Sequence, residues 1–348
     1  MKKRIAVGMS GGVDSSVAAA LLVEQGYDVT GIFIEAYNEP GCRTDEDKRD
    51  ALKVAAKLGI KFEVLDLKKE YKEKVVNYFI YEYQEGRTPN PDIVCNGEIK
   101  FGLLLDYIRS QGFEKLATGH YARNLAVTQL KGDTVTRMLQ RPKDLTKDQT
   151  YFLWKVGEEK LKNIIFPLGE LTKSEVRAKA RRLALPNAEK PDSMGVCMMG
   201  EISIYDFLKN KIGEREGQVV WNGKVVGTHK GSWFYTLGQR GGWVVKPKIQ
   251  TADMPSLYVI SKNMENNQLI MGTKEECYKT ELGIRNLEFR MNSKDLWVRI
   301  RNLGELTKVT QLQGDTVTLK DPVFAPAPGQ SAVFYDDCGI VMGGGLIG

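Results

Sequence analysis

The chain is poor in the residues from which zinc and iron–sulfur sites are built. Its 348 residues include only two histidines, His120 and His229, and five scattered cysteines that form no CxxC pair. Such sites are usually assembled from closely spaced cysteine and histidine pairs, so no protein metal site is predicted. A chain of this length also disfavours a secreted disulfide framework, and we therefore expect a reducing cytosol.

Long apolar runs are also missing. No segment approaches the roughly 20 consecutive apolar residues of a membrane span. The opening MKKRIAVGMSGGV places basic residues before apolar ones, but the apolar run breaks at Ser10 and reaches Asp14 too soon for a signal peptide. We therefore predict a first buried strand there, no membrane association and a cytoplasmic protein.

Charge of one sign is not strongly in excess, because 50 Lys and Arg oppose 44 Asp and Glu and give a net charge of +6. The densest basic stretch, TKSEVRAKARR, has Glu175 as its single acid. A helix there would present a basic face suited to phosphates. A solvated helix face is nevertheless the more common meaning of such a stretch, and we favour it.

Strands and helices alternate in the first part of the chain. RIAVGM, VTGIFIEAY, KFEVLDL and KLATGHYA are typical of strands buried in a parallel sheet, and helical segments lie between them. Thr44 and Asp47 have the spacing of a capping box, whereas the two prolines of RTPNPDIVCN predict an open loop. The pattern predicts an α/β fold with a doubly wound parallel sheet.

The pattern changes after about Gly213. Short β-rich runs follow, joined by Gly, Asn and Asp turns, and Asn222 with Gly223 is a hairpin signal. This spacing suits one or two small antiparallel barrels, and we predict two small antiparallel β domains. We predict domains at 1–205, 206–280 and 281–348.

The loop SGGVDS between the first strand and the first helix predicts an anion site. Backbone N–H groups and the helix dipole favour a phosphate there, and glycines permit close approach of the backbone. The two common phosphate fingerprints, G-x-x-x-x-G-K-[ST] and G-x-G-x-x-G, do not fit. Asp14 stands in the loop and is suited to Mg²⁺, the cation that neutralises phosphate charge.

Two cysteines precede predicted helices. Cys95 lies in NPDIVCN and Cys197 in PDSMGVCMMG, and a helix N-terminus lowers a thiol pKa. Asp92, three residues before Cys95, is close enough to exchange a proton. On spacing alone, either cysteine is more often a small buried residue.

The loop resembles the pyrophosphate loop of ATP pyrophosphatases, the PP-loop enzymes of the adenine nucleotide alpha hydrolase-like fold. The whole chain resembles the bacterial tRNA-specific 2-thiouridylases. The resemblance is carried, in order, by GMSGGVDSS, EGRTPNPDIVCN, IKF, ATGHYAR, KDQTYFL, PDSMGVCMMGE, TLGQR and PGQSAVFY. It implies that residues 1–205 form the catalytic domain and 281–348 a tRNA-contacting barrel.

The resemblance implies a reaction. ATP, with Mg²⁺, adenylates the C2 oxygen of the wobble uridine of a tRNA, which turns that oxygen into a good leaving group. A persulfide on Cys197 supplies sulfur to C2, AMP leaves, and Cys95 resolves the persulfide by forming a disulfide with Cys197. A persulfide relay protein then reloads the sulfur.

The resemblance also assigns residues individually. It implies an ATP loop at Gly8, Met9, Ser10, Gly11, Gly12, Val13, Asp14 and Ser15, with further nucleotide contacts at Ile34 and Gly119. It implies tRNA contacts at Asn90, Pro91, Asp92, Lys147, Asp148, Gln149, Arg301 and Asn302. The implied catalytic residues are Cys95, Cys197, Asp92 and Asp14.

Two stretches depart from the family pattern. In VRIRNL an aromatic residue is usual at Asn302 and a basic residue at Leu303. EAYNEPGC, after Ile34, also differs from the usual form, and Cys42 within it has no assigned role. Cys277 and Cys338 are expected to pack.

Other functions stay open. A nitrogen ligase of the same superfamily, such as a lysidine-type tRNA ligase, would adenylate a carbonyl but needs no paired thiols. A sulfurtransferase acting at another tRNA position would need RNA-binding extensions that this chain lacks. An RNA-binding protein that only senses nucleotide would release no AMP or pyrophosphate.

Overall fold

The computed structural model of the chain describes residues 2–37, 43–128, 135–192, 203–246, 255–291 and 295–348. By internal contacts the chain divides into two units. The first comprises Met1–Val76, Pro91–Glu201 and Tyr335–Val341, and the second comprises Asn77–Asn90, Ile202–Phe334 and Met342–Gly348. Each unit therefore includes a short segment from a distant part of the sequence. The division into three domains remains a prediction.

Seven strands are described in the first part of the chain: β1 (Arg4–Gly8), β2 (Asp28–Glu35), β3 (Lys61–Asp66), β4 (Lys115–Thr118), β5 (Arg123–Thr128), β6 (Val135–Gln140) and β7 (Ile164–Ile165). Five of them form a parallel sheet in the order β3-β2-β1-β4-β7, and β5 pairs with β6 in a separate hairpin. This confirms the predicted parallel sheet.

The apolar run of β1 explains its central place. β2 and β4 pair with the two edges of the strand, and Ile5 and Val7 are buried in a core that includes Val17 of the following helix. The chain leaves β1 toward β2 and β3, then returns to place β4 on the other side of β1. The strand order therefore reverses between β1 and β4, and ligands bind at such reversals beyond the carboxyl ends of the strands.

Ten α-helices are described: α1 (Val13–Glu24), α2 (Thr44–Leu58), α3 (Lys68–Tyr71), α4 (Asn77–Gln84), α5 (Pro91–Val94), α6 (Leu104–Ser110), α7 (Thr150–Leu153), α8 (Glu158–Leu161), α9 (Lys173–Arg182) and α10 (Ile204–Ile212). A π-helical stretch, Lys72–Val76, joins α3 to α4, and another, Cys95–Leu103, joins α5 to α6. No helix in the described ranges combines the length and apolar character that crossing a bilayer requires.

Two local predictions about helix starts are wrong. Thr44 is the first residue of α2 rather than its cap, and its hydroxyl donates to the Tyr37 carbonyl at 2.6 Å. RTPNPDIVCN is not an open loop throughout, because α5 begins at Pro91. Proline suits the first position of a helix, where its missing N–H would have no partner.

The second unit contains the β-rich part of the chain. Five strands form one sheet: β8 (Gly217–Trp221), β9 (Lys224–His229), β10 (Val244–Val245), β11 (Tyr258–Asn263) and β12 (Gln268–Gly272). Its order is β10-β9-β8-β12-β11, and the β8–β12 pair is parallel. The predicted hairpin between β8 and β9 is confirmed, with positive φ at Asn222 and Gly223.

The last six strands close into a barrel, in the order β13-β16-β15-β14-β17-β18. They are β13 (Tyr278–Phe289), β14 (Trp297–Arg299), β15 (Thr307–Gln313), β16 (Thr316–Phe324), β17 (Ser331–Tyr335) and β18 (Val341–Ile347). Because the barrel is closed, each of these six described strands is paired on both sides.

Candidate active site

The loop from Gly8 to Ser15 is held in one shape by its own serines and glycines. Ser10 N–H donates to Ser15 Oγ at 3.1 Å, and Ser15 Oγ donates to the Gly12 carbonyl at 3.1 Å. Gly11 has φ +76°, and a Cβ there would lie 2.3 Å from the Asp47 carbonyl oxygen. The backbone is therefore fixed where α1 begins, with N–H groups available to an anion.

Gly119 approaches this loop from the end of β4. A Cβ on Gly119 would lie 2.5 Å from Ser15 N, so only glycine fits against the start of α1. Ile34 lies on β2, two residues beyond Ile32, whose carbonyl accepts from Met9 N–H at 2.8 Å. The structure therefore brings the loop and Gly119 together at the switch point, with Ile34 on the neighbouring strand.

A lysine that the sequence analysis did not select faces the loop. Lys173 Nζ lies 2.7 and 2.8 Å from the two carboxylate oxygens of Asp14. Tyr121 O–H donates to Asp14 Oδ1 at 2.9 Å, and burial together with that carboxylate raises the Tyr121 pKa. The loop is thus supplied with a cation from α9, nearly 160 residues away in sequence.

Lys173 is the first residue of α9, and that position is set by a local signal. Thr172 and Glu175 form a capping box, in which Thr172 Oγ1 accepts from Glu175 N–H and Glu175 accepts from Thr172 N–H. The T-x-x-E spacing predicts where the helix starts. It carries no information about Asp14, so the sequence could not have identified the pair.

Asp192 forms ion pairs with three basic side chains. Its carboxylate lies 2.8 Å from Lys147 Nζ, 2.7 Å from Lys173 Nζ and 2.7 Å from Arg177 Nη2. Burial raises the pKa of Asp192, but the hydrogen bonds from Lys147 and Lys173 outweigh it and lower the pKa to about 2. The carboxylate is therefore ionised at neutral pH.

We favoured a solvated helix face for the basic stretch that forms α9. The ion pairs of this helix support that interpretation only in part. Arg181 pairs with Glu189 on the surface, as a solvated face would. Lys179 is mostly buried and pairs with Glu24. Lys173 and Arg177 instead point to the cluster around Asp192, so one end of this helix belongs to the candidate site.

The KDQ turn is built around a buried carboxylate. The Asp148 side chain is fully buried and accepts from Arg141 Nε at 2.8 Å and Thr150 N–H at 3.0 Å. Gln149 Oε1 accepts from Tyr121 N–H at 2.9 Å. Asp148 and Gln149 therefore fix the turn. Lys147, in the same turn, forms an ion pair with Asp192.

The helical run from Pro91 to Ser110 carries Asp92 and Cys95. Cys95 is 5% exposed and lies inside this run rather than just before a helix. Burial raises the pKa of Asp92, and Lys100 opposes that shift only in part. Three-residue spacing puts the carboxyl and the thiol on neighbouring positions of the helix surface.

The predicted partner thiol cannot be placed, because Cys197 lies outside the described residues, as does Cys42. Asp192 is the last described residue before that segment, which begins at residue 193. Among described residues, no group of three or more His, Cys, Asp or Glu side chains has the arrangement of a metal site.

Arg301 and Asn302 lie in the second unit, just after β14. Arg301 Nη2 donates to the carbonyls of Phe324 at 2.7 Å and Ala325 at 3.3 Å. Asn302 Oδ1 is buried and has no hydrogen-bond partner. Leu303, with φ +55° and half of its surface exposed, follows at the outer edge of this turn.

Known families match nearly the whole chain. The tRNA methyl transferase HUP domain matches residues 3–201, the tRNA methyl transferase PRC-barrel domain 205–273, and the aminomethyltransferase beta-barrel domain 280–347. These three segments leave only short connections unmatched.

Relatives with names match over the full length. The tRNA-specific 2-thiouridylase MnmA of Enterococcus faecalis is 41% identical, over 99% of this chain and 95% of its own. MnmA 1 of Geobacillus kaustophilus is 42% identical over the same shares. MnmA of Akkermansia muciniphila is 40% identical, over 99% of this chain and 98% of its own.

Proposed function

The chain belongs to the tRNA-specific 2-thiouridylase family, and from this we propose that it converts the wobble uridine of tRNA to 2-thiouridine at the expense of ATP. The observation that supports this most is the loop from Gly8 to Ser15, clamped by Gly119 and faced by Lys173. That arrangement suits ATP cleavage between the α and β phosphates.

The loop would hold the departing pyrophosphate. The first backbone N–H groups of α1 have no acceptor within the helix and carry the positive end of the helix dipole, so they would favour an anion. Lys173 would add a cation at the β and γ phosphates once it leaves Asp14. The Asp14 carboxylate is of the type that holds Mg²⁺, which neutralises phosphate charge when bound.

Adenylation would make the uridine C2 oxygen a good leaving group. The terminal sulfur of a Cys197 persulfide attacks C2, the C2–O bond breaks, and AMP departs with the electron pair. The Cys95 thiolate then attacks Cys197 Sγ, which forms the Cys95–Cys197 disulfide and leaves the sulfur on C2. A two-electron reductant and a persulfide-carrying protein must act before the next cycle.

Asp92 is suited to the proton transfers of this sequence. Its raised pKa places its titration closer to neutral pH than that of an ordinary carboxyl group, which favours general acid–base catalysis. We assign it the proton of Cys95 or of the uridine. Asn90 and Pro91, at the start of the same helix, would face the target base.

The remaining tRNA contacts would come from two basic and two amide side chains. We propose that Lys147, Gln149, Arg301 and Asn302 contact the tRNA, with Asp148 holding the KDQ turn from inside. Contacts from basic side chains to phosphate position an RNA without reading its sequence. Extruding a base from a single-stranded anticodon loop toward a thiol also costs little free energy, because the base is already unpaired. We place this reaction in the cytoplasm.

A thiolation assay tests the proposal. Unmodified tRNA, ATP, Mg²⁺ and a persulfide donor are incubated with wild type, Cys197→Ser, Cys95→Ser and Cys338→Ser, and thiolated tRNA is resolved on a mercury-containing gel. Cys338 is exposed, so the expectation that it packs is wrong, and it serves as the matched control. We expect thiolation by wild type and the control, its loss in the other two, and AMP release retained in Cys197→Ser.

The opposite pattern would favour a nitrogen ligase. If wild type released AMP without thiolating, and the variants at Cys95 and Cys197 matched it, the thiols would be packing residues. If no enzyme released tRNA-dependent AMP or pyrophosphate, the chain would bind RNA without reacting with it.

A further inference from the structure

A side chain from the segment after α9 is bonded to the loop between Gly8 and Ser15. Asn187 is buried, and its amide nitrogen Nδ2 donates to the Gly11 carbonyl at 2.8 Å and to Ser16 Oγ at 2.9 Å. Ser16 Oγ in turn donates to the Gly12 carbonyl at 2.9 Å. One amide therefore holds the Gly11 carbonyl directly and the Gly12 carbonyl through a hydroxyl.

The neighbours of Asn187 settle which edge of its amide faces the loop. A carbonyl oxygen only accepts hydrogen bonds, so the atom that faces Gly11 must be the amide nitrogen. The amide oxygen of Asn187 is buried and has no hydrogen-bond partner among the residues that the structure describes. Both donors of the side chain are thus committed to the loop and to the first turn of α1.

Asn187 is presented from a rigid turn. Lys190 N–H donates to the Asn187 carbonyl at 3.0 Å, which closes a turn of four residues. Arg177 Nη1 donates to the carbonyls of Ala188 at 2.9 Å and Lys190 at 2.6 Å, so the turn is tied to α9. Lys190 Nζ also pairs with Asp47 of α2 at 2.7 Å. Asn187 is therefore fixed relative to both helices.

The Gly11–Gly12 peptide gains an orientation from this bond that its own residues do not impose. Gly11 has φ +76°, and two glycines offer little steric resistance to rotation of the peptide between them. In a planar trans peptide the carbonyl and the following N–H point in opposite directions. Because the Gly11 carbonyl is directed at Asn187, the Gly12 N–H points away from Asn187. There it donates to Ser10 Oγ at 3.4 Å, an exposed bond long enough for a phosphate oxygen to replace it.

We propose that Asn187 is a positioning residue for ATP cleavage: by holding the Gly11 carbonyl, it keeps the Gly12 N–H directed at the phosphates that leave as pyrophosphate. This rests on the proposed function for the identity of the ligand. AMP lacks the departing phosphates, so the bond from Asn187 should matter for ATP and for pyrophosphate but not for AMP.

The test compares three variants. Asn187→Leu keeps the approximate shape of the side chain but removes both donors. Ser16→Ala removes only the hydroxyl bond to the Gly12 carbonyl, which still accepts from the backbone N–H of residue 16 at 3.3 Å. Asn124→Leu is the matched control in the same unit, because the Asn124 amide also makes two bonds to backbone carbonyls, at 2.7 and 2.8 Å.

Calorimetry with Mg²⁺ gives the Kd of each protein for ATP, inorganic pyrophosphate and AMP, and thermal unfolding gives its melting temperature. We expect Asn187→Leu to weaken ATP and pyrophosphate binding by about tenfold to a hundredfold, the contribution of a hydrogen bond to a charged group. The Kd for AMP should stay within about twofold of wild type, because AMP does not use this bond. Ser16→Ala should show a smaller loss of the same kind, and Asn124→Leu should lower the melting temperature while keeping wild-type affinities.

A wild-type affinity for pyrophosphate in Asn187→Leu would overturn the proposal, and so would a wild-type protein that binds no pyrophosphate. Equal losses of ATP and AMP affinity would also overturn it, because the amide would then support the whole site. If Asn187→Leu did not fold, the pyrophosphate affinity of Ser16→Ala relative to its AMP affinity would decide. A wild-type protein that binds pyrophosphate but forms no 2-thiouridine would overturn the proposed function alone.

Discussion

The loop after β1 and the helical run from Pro91 carry the two halves of the proposed chemistry, and they control charge in opposite ways. In the loop, the Asp14 carboxylate pairs with Lys173 Nζ at 2.7 Å and lies next to the ion-pair cluster of Asp192. In the helical run, burial raises the pKa of Asp92 and encloses the Cys95 thiol.

The difference follows from what each half must do. A site for a polyphosphate needs permanent charges that compensate each other before the ligand arrives, and paired charges tolerate partial burial. A site for proton and sulfur transfer needs groups that change protonation state near neutral pH, which desolvation provides. Four substitutions test this contrast.

The largest effect is expected in the helical run from Pro91, where Asp92 is desolvated. Asp92→Asn removes the proposed proton carrier and should lower the thiolation kcat by about a hundredfold or more. ATP binding, measured by calorimetry, should stay within about twofold of wild type, since the loop keeps all its contacts. A variant that thiolated at the wild-type rate would remove Asp92 from the mechanism.

The same variant has a signature in the pH dependence of stability. Because the folded pKa of Asp92 is raised, its contribution to the free energy of unfolding is fully present below the unfolded pKa of about 3.9 and is lost as pH rises through the folded pKa. Asp92→Asn should therefore gain on wild type as pH rises. Denaturant titrations of both proteins at several pH values measure the difference in their free energy of unfolding. A difference that does not change with pH would contradict the prediction.

The next largest effect is expected in the loop after β1, where Asp14 and Lys173 form an ion pair. Lys173→Met leaves Asp14 and Asp192 without their shared cation, and it should reduce tRNA-dependent AMP formation by about a hundredfold. Lys179→Met is the control on the same helix, because Lys179 pairs with Glu24. Similar AMP formation by both variants would mean that Lys173 only holds the fold together.

A smaller loss is expected when the backbone of the loop is displaced. Gly119→Ala adds a Cβ 2.5 Å from Ser15 N, which shifts the start of α1 and should weaken ATP binding by about tenfold to a hundredfold. Gly157→Ala is the control, because nothing lies within 4 Å of its added Cβ. Equal ATP affinities would show that the loop adapts to the methyl group.

The smallest effect is expected in the barrel. Arg301→Ala removes a guanidinium that already donates to two backbone carbonyls, so tRNA binding should weaken by only about threefold to tenfold. The slope of log K against log salt should fall by about one or less. Filter binding at several salt concentrations measures both, and an unchanged slope would argue against a phosphate contact.

Local signals predicted much of the fold and little of the site's charge network. The apolar run of β1 and the hairpin turn at Asn222 and Gly223 were visible in the sequence because each depends on neighbouring residues. The start of α5 at Pro91 was missed, because a proline ends some helices and begins others. Lys173 was not singled out, because the sequence shows it only as one of several basic residues on a helix face.

The sequence by itself determined the parallel sheet, the glycine-rich loop at its switch point and the resemblance that names the reaction. Those features depend on backbone geometry and on contiguous motifs, which a linear pattern carries. Only the tertiary structure decided which lysine faces Asp14, that Asp148 is buried beneath its turn, and that Asn187 holds the Gly11 carbonyl. These pairings join residues 2 to 176 positions apart, and an ion pair or hydrogen bond forms according to distance in space rather than in sequence.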